Sequence, residues 1–256
     1  MERSFCAFPR SITQPRVIAL LMEKPTIYDL IEEARASGTR YLTEPLAKAF
    51  LSALGIPIPS GGVAHSEGEA EAIAHNIGRP VVLKIIAPGV LHKSEIDGVI
   101  FPVDPADVRC AFRRLVNRVR SEHREVQISG ILVEEYVKGG VECILGLTRV
   151  DPFGPVLMFG IGGVLVEAIQ DVSFRLAPLL PEDAEAMLTE IRGARYFHAF
   201  RNRPAVNRFL LVQAILAVGR IVSDPVLRVV REVEINPLLA GSDRVVAADA
   251  VVILEG

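Results

Sequence analysis

A lysine stands in the middle of an otherwise apolar strand, and this position constrains the fold more than any other. Residues 80–86 read Pro-Val-Val-Leu-Lys-Ile-Ile, so aliphatic side chains flank Lys84 on both sides. A strand that is apolar on both faces is normally buried, and a lysine is rarely buried without an anionic partner. The fold must therefore bring an anion to Lys84, and the phosphates of a nucleotide are one candidate. The alternative is an edge strand from which the lysine bends out into solvent.

Strands and helices interleave along the rest of the chain, but they do not alternate regularly. Helices are predicted to begin at Thr26, Thr43 and Ser66, and each is followed by a glycine that ends it. Further apolar runs predict strands at residues 98–103, 130–137, 141–149, 227–233 and 244–254. This irregular order favours an α+β fold over a single doubly wound parallel sheet.

Composition excludes several classes of protein. Half of the 256 residues are hydrophobic, which is enough to bury the core of one or two compact domains. The formal net charge of -3 gives no basic surface for nucleic acid. The apolar windows are too short or too interrupted to span a bilayer, and residues 1–25 lack the features of a signal peptide. Three scattered cysteines suit free thiols in a reducing compartment, so we expect a cytoplasmic protein.

Oxygen-bearing side chains gather on the last two predicted strands. Glu234 and Asn236 follow the strand 227–233, and Asp249 lies within the strand 244–254. Carboxylate and amide oxygens at strand ends suit a hard Mg²⁺ ion that also holds nucleotide phosphates. The alternative is a hairpin in which Asn236 and Pro237 open a turn and the acids face water.

The loop after the Lys84 strand also carries chemically active groups. Residues 89–98 read Gly-Val-Leu-His-Lys-Ser-Glu-Ile-Asp-Gly, and the backbone of such a loop could fold over phosphates. His92 is a candidate phosphoryl acceptor, because a neutral imidazole is a competent nucleophile. The alternative is a polar histidine on the surface.

Two acids lie on either side of Gly139-Gly140, where one predicted strand passes to the next. Glu134 ends the strand 130–137, and Glu142 begins the following one. The backbone at such a crossing can pair with the edge of an adenine, and a carboxylate can bind ribose hydroxyls. The alternative is that both acids face solvent at the ends of their strands.

A glycine-rich segment at residues 154–167 matches neither the dinucleotide fingerprint nor the Walker A pattern. Its glycines permit either tight sheet packing or the approach of a phosphate, and the sequence does not choose between them. The chain has no CxxC, HExxH or GxSxG motif, so metallohydrolase and α/β-hydrolase functions have no support.

Taken in order, these features resemble the ATP-grasp β subunit of ADP-forming acyl-CoA synthetases, of the acetate–CoA ligase (ADP-forming) type. The β subunit of succinyl-CoA synthetase is a more distant resemblance. The resemblance extends from about Thr43 to Leu254. It is closest at Leu91-His-Lys-Ser94, at Phe153-Gly-Pro-Val-Leu-Met-Phe-Gly-Ile-Gly-Gly-Val-Leu-Val-Glu167, and at Asp171-Val-Ser-Phe-Arg175-Leu-Ala-Pro178.

The resemblance implies an ATP-grasp fold, in which two α+β subdomains clamp ATP between their sheets. We expect residues 60–137 to form the lid, and residues 41–59 with 138–256 to form the larger subdomain. Residues 1–40 would be an N-terminal extension to which we assign no function.

The resemblance also implies site roles by position. Lys84 would bind phosphate and stabilise the group in transfer, with Leu91, His92 and Lys93 in the loop over the phosphates. His92 matches the histidine that passes phosphoryl between the nucleotide and the partner subunit. The residues expected around adenine and ribose are Glu134, Val137 and Glu142. The expected Mg²⁺ ligands are Asn236 and Asp249, to which the strand pattern adds Glu234.

One departure from the family pattern affects the loop. Where the family usually has Gly-Gly after the His-Lys-Ser loop, this chain has Asp97-Gly98. A carboxylate at that point would repel phosphates unless it turns away or meets Lys93.

The implied function is that of the nucleotide-binding subunit of a two-component enzyme. The reaction would be acyl-CoA + ADP + phosphate in equilibrium with acid + CoA + ATP, with ATP or ADP and Mg²⁺ as cofactors. A CoA-binding α subunit would be the partner, and this chain alone would stop at a half reaction. Two alternatives are a degenerate, non-catalytic ATP-grasp module and an ATP-grasp ligase that uses a free acyl phosphate.

Overall fold

Two antiparallel sheets, each packed against helices, make up the part of the chain that the structure describes. The computed structural model describes residues 26–36, 38–163, 170–201 and 204–255. The helices are α1 (Ile27–Ala36), α2 (Glu44–Ala53), α3 (Glu67–Ile77), α4 (Val108–Glu122), α5 (Pro181–Glu190) and α6 (Arg208–Gly219). The strands are β1 (Tyr41–Leu42), β2 (Gly61–Ala64), β3 (Val81–Ile86), β4 (Val99–Val103), β5 (Gly130–Glu135), β6 (Val141–Val150), β7 (Gly154–Ile161), β8 (Val172–Leu176), β9 (Val230–Ala240), β10 (Val245–Ala247) and β11 (Ala250–Leu254).

The smaller sheet has four strands in the order β2-β5-β3-β4. Alternate residues of β3 and β5 point into one core, which α3 and α4 complete. The buried residues of α4 recur at the helical period, so one face of this arginine-rich helix is apolar, as the sequence predicts. They include Val108, Phe112, Leu115 and Val119.

The larger sheet has seven strands. Six follow the order β1-β11-β9-β6-β7-β8, and β10 pairs with β9. Its core contains residues of α1, α2, α5 and α6. Although the sequence places residues 1–40 in an extension, Leu30, Ile31 and Ala34 of α1 are buried in this core.

The predicted helix signals have the expected geometry. The Ser66 side chain accepts a hydrogen bond from the Glu69 N–H at the start of α3, and Gly78 ends that helix in the left-handed region at φ 69°. At the start of α1, Thr26 and Asp29 bond each other's backbone N–H groups. No helix among the described residues is long and apolar enough to cross a membrane.

The prediction for the last two strands is wrong in detail. Residues 226–229 form a 3-10 turn, and β9 runs from Val230 to Ala240 without turning at Asn236-Pro237. The alternative of a turn at that point is therefore wrong as well. Pro237 has no N–H to donate, and the pairing of β9 with β6 shifts register beside it. The predicted strand 244–254 divides at the same level into β10 and β11, and Asp249 lies in the break.

Candidate functional site

The candidate site lies on the faces of the two sheets that point away from their cores. On β3, Val81, Leu83 and Ile85 enter the small core, so Lys84 points to the opposite face. Glu134 of β5 lies on that same face, because Val133 enters the core.

The larger sheet follows the same alternation. Val233 and Ile235 of β9 are in the large core, so Glu234 and Asn236 point away from it. Asp249 lies in the break between β10 and β11, and the neighbouring Ala248 N–H donates to the Pro237 carbonyl at 3.0 Å. Asp249 is thereby held beside the Asn236-Pro237 segment.

Lys84 is buried where the two sheets meet. Its side chain is 9% exposed, and its ammonium contacts Glu44 Oε1 at 2.6 Å and Glu134 Oε2 at 3.5 Å. It also donates to the carbonyl of Ala248 at 2.7 Å, directly before Asp249. The alternative of an edge-strand lysine in solvent is wrong, since β3 lies between β5 and β4.

Sequence reasoning missed two residues of this cluster, Glu44 and Lys48 of α2. Both side chains are 2% exposed, and Lys48 contacts Glu44 at 2.9 Å and Glu134 at 2.5 Å. A glutamate four residues before a lysine is the usual pattern of an exposed helical ion pair. No local signal separates this buried pair from an exposed one, because its burial depends on the approach of β3 and β5 to α2.

The loop predicted to cover phosphates is attached to the same cluster. Lys93 is buried, with its ammonium 2.8 Å from Glu44 Oε2 and 3.6 Å from Asp249 Oδ1. His92 precedes it and is exposed, at the start of a 3-10 turn over Lys93–Ile96. The structure therefore places the candidate acceptor histidine at the surface, one residue from a fixed ammonium.

Asp97 turns away from this cluster. It is exposed, has a left-handed backbone at φ 50°, and its carbonyl accepts a hydrogen bond from Arg118. That conformation favours glycine, although aspartate tolerates it better than most residues. Lys93 forms its ion pair with Glu44 and not with Asp97, so the structure supports the first of the two expectations, that Asp97 turns away.

Six buried or half-buried charges thus meet in one place. Three are the ammonium groups of Lys48, Lys84 and Lys93, and three are the carboxylates of Glu44, Glu134 and Asp249. Burial opposes the charge of Lys84, but the carboxylates of Glu44, Asp249 and Glu134 outweigh it and raise the pKa of that lysine. Every lysine of the cluster is therefore matched by at least one carboxylate.

The carboxylates of the cluster differ from one another. Burial would raise the pKa of Glu44, but the ammonium groups of Lys84, Lys48 and Lys93 outweigh it and hold the pKa well below its usual range. Burial and the charge of Glu44 raise the pKa of Asp249 despite the same lysines. The negative charge of Asp249 is therefore less compensated than that of Glu44, and a cation beside it would be favoured.

Gly163 connects two of the predicted site residues. Its N–H donates to Asn236 Oδ1 at 3.2 Å, and the N–H of Gly162 donates to the Glu142 carbonyl at 2.7 Å. Gly163 has φ +69°, and a Cβ at this position would collide with the carboxylate of Glu142. The backbone conformation favours glycine here, and any larger residue would also displace the exposed Glu142 carboxylate. Glu167, at the end of the predicted glycine-rich segment, lies outside the described residues.

At the crossing between the sheets, the second acid of β5 bridges the two parts of the chain. Glu135 Oε1 accepts hydrogen bonds from Arg79 at 3.0 Å and from Arg244 at 2.9 Å. Glu134 and Glu135 are 3% and 8% exposed, so the alternative of solvent-facing acids is wrong for this strand end. The alternative of a solvent-facing acid is correct for Glu142, which is exposed.

Val137 lines a cavity of about 170 Å³ beside Gly139-Gly140.

The donors available for a metal are few but suitable. Among the described residues, no group of three or more His, Cys, Asp or Glu side chains lies close enough to hold a metal ion. Mg²⁺ is usually bound by one or two carboxylates together with substrate phosphates and water. Asp249, with the amide oxygen of Asn236 on the neighbouring strand, fits that requirement.

Comparison with known proteins agrees with this architecture. The model of the ATP-grasp domain family matches residues 33–254. The chain is 38% identical over 227 residues to the acetate–CoA ligase (ADP-forming) I subunit beta of Pyrococcus furiosus, which covers 88% of this chain and 97% of that protein.

Two solved structures of acetyl-coenzyme A synthetase 1 from Ca. Korarchaeum cryptofilum are similar to the chain. A complex with coenzyme A, Ca-AMPCP and HgCl+ has a TM-score of 0.85 and 39% identity, covering 90% of this chain and 100% of that chain. A complex with coenzyme A and Mg-AMPPCP has a TM-score of 0.77 and 36% identity with the same coverage. In the latter, a phosphohistidine segment points towards the nucleotide-binding site.

Proposed function

Because the chain belongs to the ATP-grasp family, among the β subunits of ADP-forming acetate–CoA ligases, we propose that it is the nucleotide-binding subunit of such a ligase. The α+β class and the ATP-grasp fold predicted from the sequence are confirmed. The reaction is acyl-CoA + ADP + phosphate in equilibrium with acid + CoA + ATP. Its CoA-binding steps belong to an α subunit, which we propose as the partner of this chain. The comparisons do not favour the non-catalytic module or the ligase with a free acyl phosphate.

The two sheets supply the two walls of the proposed nucleotide site. We assign the lid to residues 60–137 and the larger subdomain to residues 41–59 and 138–256. The separate cores of the small and large sheets support this division. Adenine and ribose are proposed to bind near the crossing, at Glu134, Val137 and Glu142.

Lys84 and Lys93 are the proposed phosphate ligands. Both ammonium groups are buried, and both lie beside Asp249, on the opposite wall. A fixed ammonium in a poorly hydrated site stabilises charge on the transferring phosphoryl group without having to reorganise solvent. Leu91 would contribute to the same loop over the phosphates.

Asp249 and Asn236 are the proposed protein ligands of Mg²⁺, with Glu234 on the same face of β9. The under-compensated charge of Asp249 supports this assignment. When bound, the ion would neutralise the β- and γ-phosphates and hold them in place.

His92 is the proposed phosphoryl acceptor. A ring nitrogen attacks the γ-phosphorus, the bond from that phosphorus to the β,γ-bridging oxygen breaks, and ADP leaves. The exposed position of His92 next to the anchored Lys93 supports this role, because the histidine has to meet a nucleotide on one side and a partner subunit on the other.

The observation that carries the proposal is the convergence of Lys84, Lys93 and Asp249 at the junction of the two sheets. A phosphohistidine half reaction predicts that the chain alone, with Mg²⁺, exchanges labelled ADP into ATP without CoA or acid. His92→Ala should abolish this exchange. Exchange that appears only when a carboxylic acid is present would instead indicate a free acyl phosphate, because that intermediate forms from ATP and the acid without CoA.

A further inference from the structure

Glu44 is the common partner of all three lysines in the cluster. Its Oε1 lies 2.6 Å from the ammonium of Lys84 and 2.9 Å from that of Lys48, and its Oε2 lies 2.8 Å from that of Lys93. The three lysines come from β3, α2 and the loop that carries His92. One carboxylate therefore holds the lid strand, the large-sheet helix and the histidine loop together.

The three contacts are not equivalent. Lys84 and Lys48 approach Glu44 Oε1 from two elements, whereas Oε2 has no partner with hydrogen-bond geometry. Lys93 is thus held by charge at short range and not by a directed hydrogen bond. It is also the one buried residue between Pro88 and Asp97, and its contact with Glu44 is shorter than its 3.6 Å contact with Asp249.

Two of the three N–H groups of the Lys84 ammonium already donate hydrogen bonds. An ammonium has three N–H groups, and Lys84 donates to Glu44 at 2.6 Å and to the Ala248 carbonyl at 2.7 Å, while Glu134 lies 3.5 Å from it as an ion pair. A phosphate oxygen that approaches Lys84 therefore competes with the carboxylates that already surround the ammonium. Glu44 and a nucleotide phosphate are competitors for the same ammonium.

Lys48 lowers the free-energy cost of this exchange. A buried carboxylate that loses its cations is strongly destabilised. Lys48 is 1% exposed, too deep for a nucleotide to reach, and it contacts both Glu44 and Glu134. It can therefore keep both carboxylates paired while Lys84 and Lys93 move to phosphate.

We infer that Glu44 is a positioning residue that holds Lys84 and Lys93 in place and releases them to the nucleotide, with Lys48 as its permanent counterion. This inference rests on the proposed function of the site. It assigns a role to two residues of α2 that do not themselves touch the reacting atoms.

Glu44→Gln tests two effects of this carboxylate, its competition with phosphate for Lys84 and its hold on Lys93 in the loop that carries His92. Removing a buried negative charge makes the site more positive, so we expect the Kd for Mg-AMPPCP to fall by about threefold or more. The amide can still accept from Lys84 and Lys48 through its oxygen, but its NH₂ group cannot hold Lys93. The loop then loses its shortest contact with the cluster and keeps the longer one with Asp249, so we expect His92 phosphorylation at saturating Mg-ATP to slow by about tenfold.

Lys48→Met should act on affinity with the opposite sign. Without Lys48, Glu44 and Glu134 both compete for Lys84, so the Kd for Mg-AMPPCP should rise. Glu67→Gln is the matched control, because it breaks an ion pair with Arg113 at 2.9 Å on the lid helices, outside the cluster. It should change neither the Kd nor the phosphorylation rate.

Calorimetry for the Kd and rapid quench for the rate decide the question. Tighter binding with slower phosphorylation in Glu44→Gln supports the inference, and weaker or unchanged binding overturns it. If Glu44→Gln fails to fold, Glu44→Asp, with its shorter reach to the lysines, must show the same split at smaller size. If the wild-type protein is not phosphorylated even with an α subunit, the proposed function fails, but the affinity measurements still decide the role of Glu44.

Discussion

The ammonium of Lys84 lies 2.6 Å from the carboxylate of Glu44, although 40 positions separate the two residues in the sequence. Lys84 belongs to the small sheet, and Glu44 belongs to a helix in the core of the large one. Their contact joins the two cores at the place where we propose that nucleotide phosphates bind. Changes at this junction should therefore alter nucleotide binding more than they alter the folding of either core.

Lys84→Met tests the phosphate ligand. The variant keeps most of the side-chain volume but removes the charge, so the affinity for Mg-ATP should fall by about tenfold or more. Glu44 keeps Lys48 and Lys93 as partners, and the fold should persist in thermal unfolding. Arg114→Met, which removes an exposed cation from α4, serves as the control. Unchanged affinity in Lys84→Met, measured by calorimetry, would contradict the assignment.

Asp249→Asn tests the metal ligand. Loss of the Asp249 carboxylate should weaken the binding of nucleotide in the presence of Mg²⁺. It should leave the much weaker metal-free binding nearly unchanged. Since burial and Glu44 already disfavour the ionised form of Asp249, the neutral variant should not lower the melting temperature. Calorimetry with Mg²⁺ and with EDTA checks the first point. Collapse of the fold would mean that Asp249 has a structural role instead.

Glu135 should make a pH-dependent contribution to stability. Burial opposes its charge, but hydrogen bonds and the charges of Arg244 and Arg79 outweigh it and hold the pKa of Glu135 below its usual value. A carboxyl with a depressed folded pKa stabilises the fold above its unfolded pKa of about 4.3, and the contribution is lost as pH falls through the folded pKa.

The measurement is urea unfolding of the wild type and Glu135→Gln at several pH values. We expect Glu135→Gln to cost about 1–2 kcal/mol at pH 7, with the difference shrinking below about pH 4. Glu182→Gln, at an exposed position on α5, should show no such difference. A cost for Glu135→Gln that does not depend on pH would be evidence against the arginine pairing.

Gly163→Ala should disturb the site through Glu142. The added Cβ would displace the Glu142 carboxylate, which we propose to bind ribose, so nucleotide affinity should fall. Gly154→Ala is a close match, because Gly154 also has a positive φ of +84° but has nothing within 4 Å of the added Cβ. Both variants should lose about 1 kcal/mol of stability from backbone strain. Only Gly163→Ala should bind nucleotide more weakly. An equal loss of nucleotide affinity in both variants would show that Gly163 has no specific role in the site.

The sequence predicts the parts of the site that depend on one strand or one loop. Lys84 could be predicted as a buried lysine because its neighbours are aliphatic on both faces. The helix ends at Ser66 and Gly78 could be predicted because capping is a local interaction.

The rest depends on contacts between distant segments. Glu44 and Lys48 have the spacing of an exposed helical ion pair, and only the approach of β3 and β5 to α2 makes them a buried centre. The course of β9 through Asn236-Pro237 could not be predicted either. A proline usually ends a strand, and here the shifted pairing with β6 accommodates it.

Phosphorylation of the protein by [γ-³²P]ATP and Mg²⁺ tests the central claim most directly. We predict an acid-labile, base-stable label on the wild type that His92→Ala abolishes and that His65→Ala leaves unchanged. A label that persists in His92→Ala, or no label on the wild type even with an α subunit present, would contradict it.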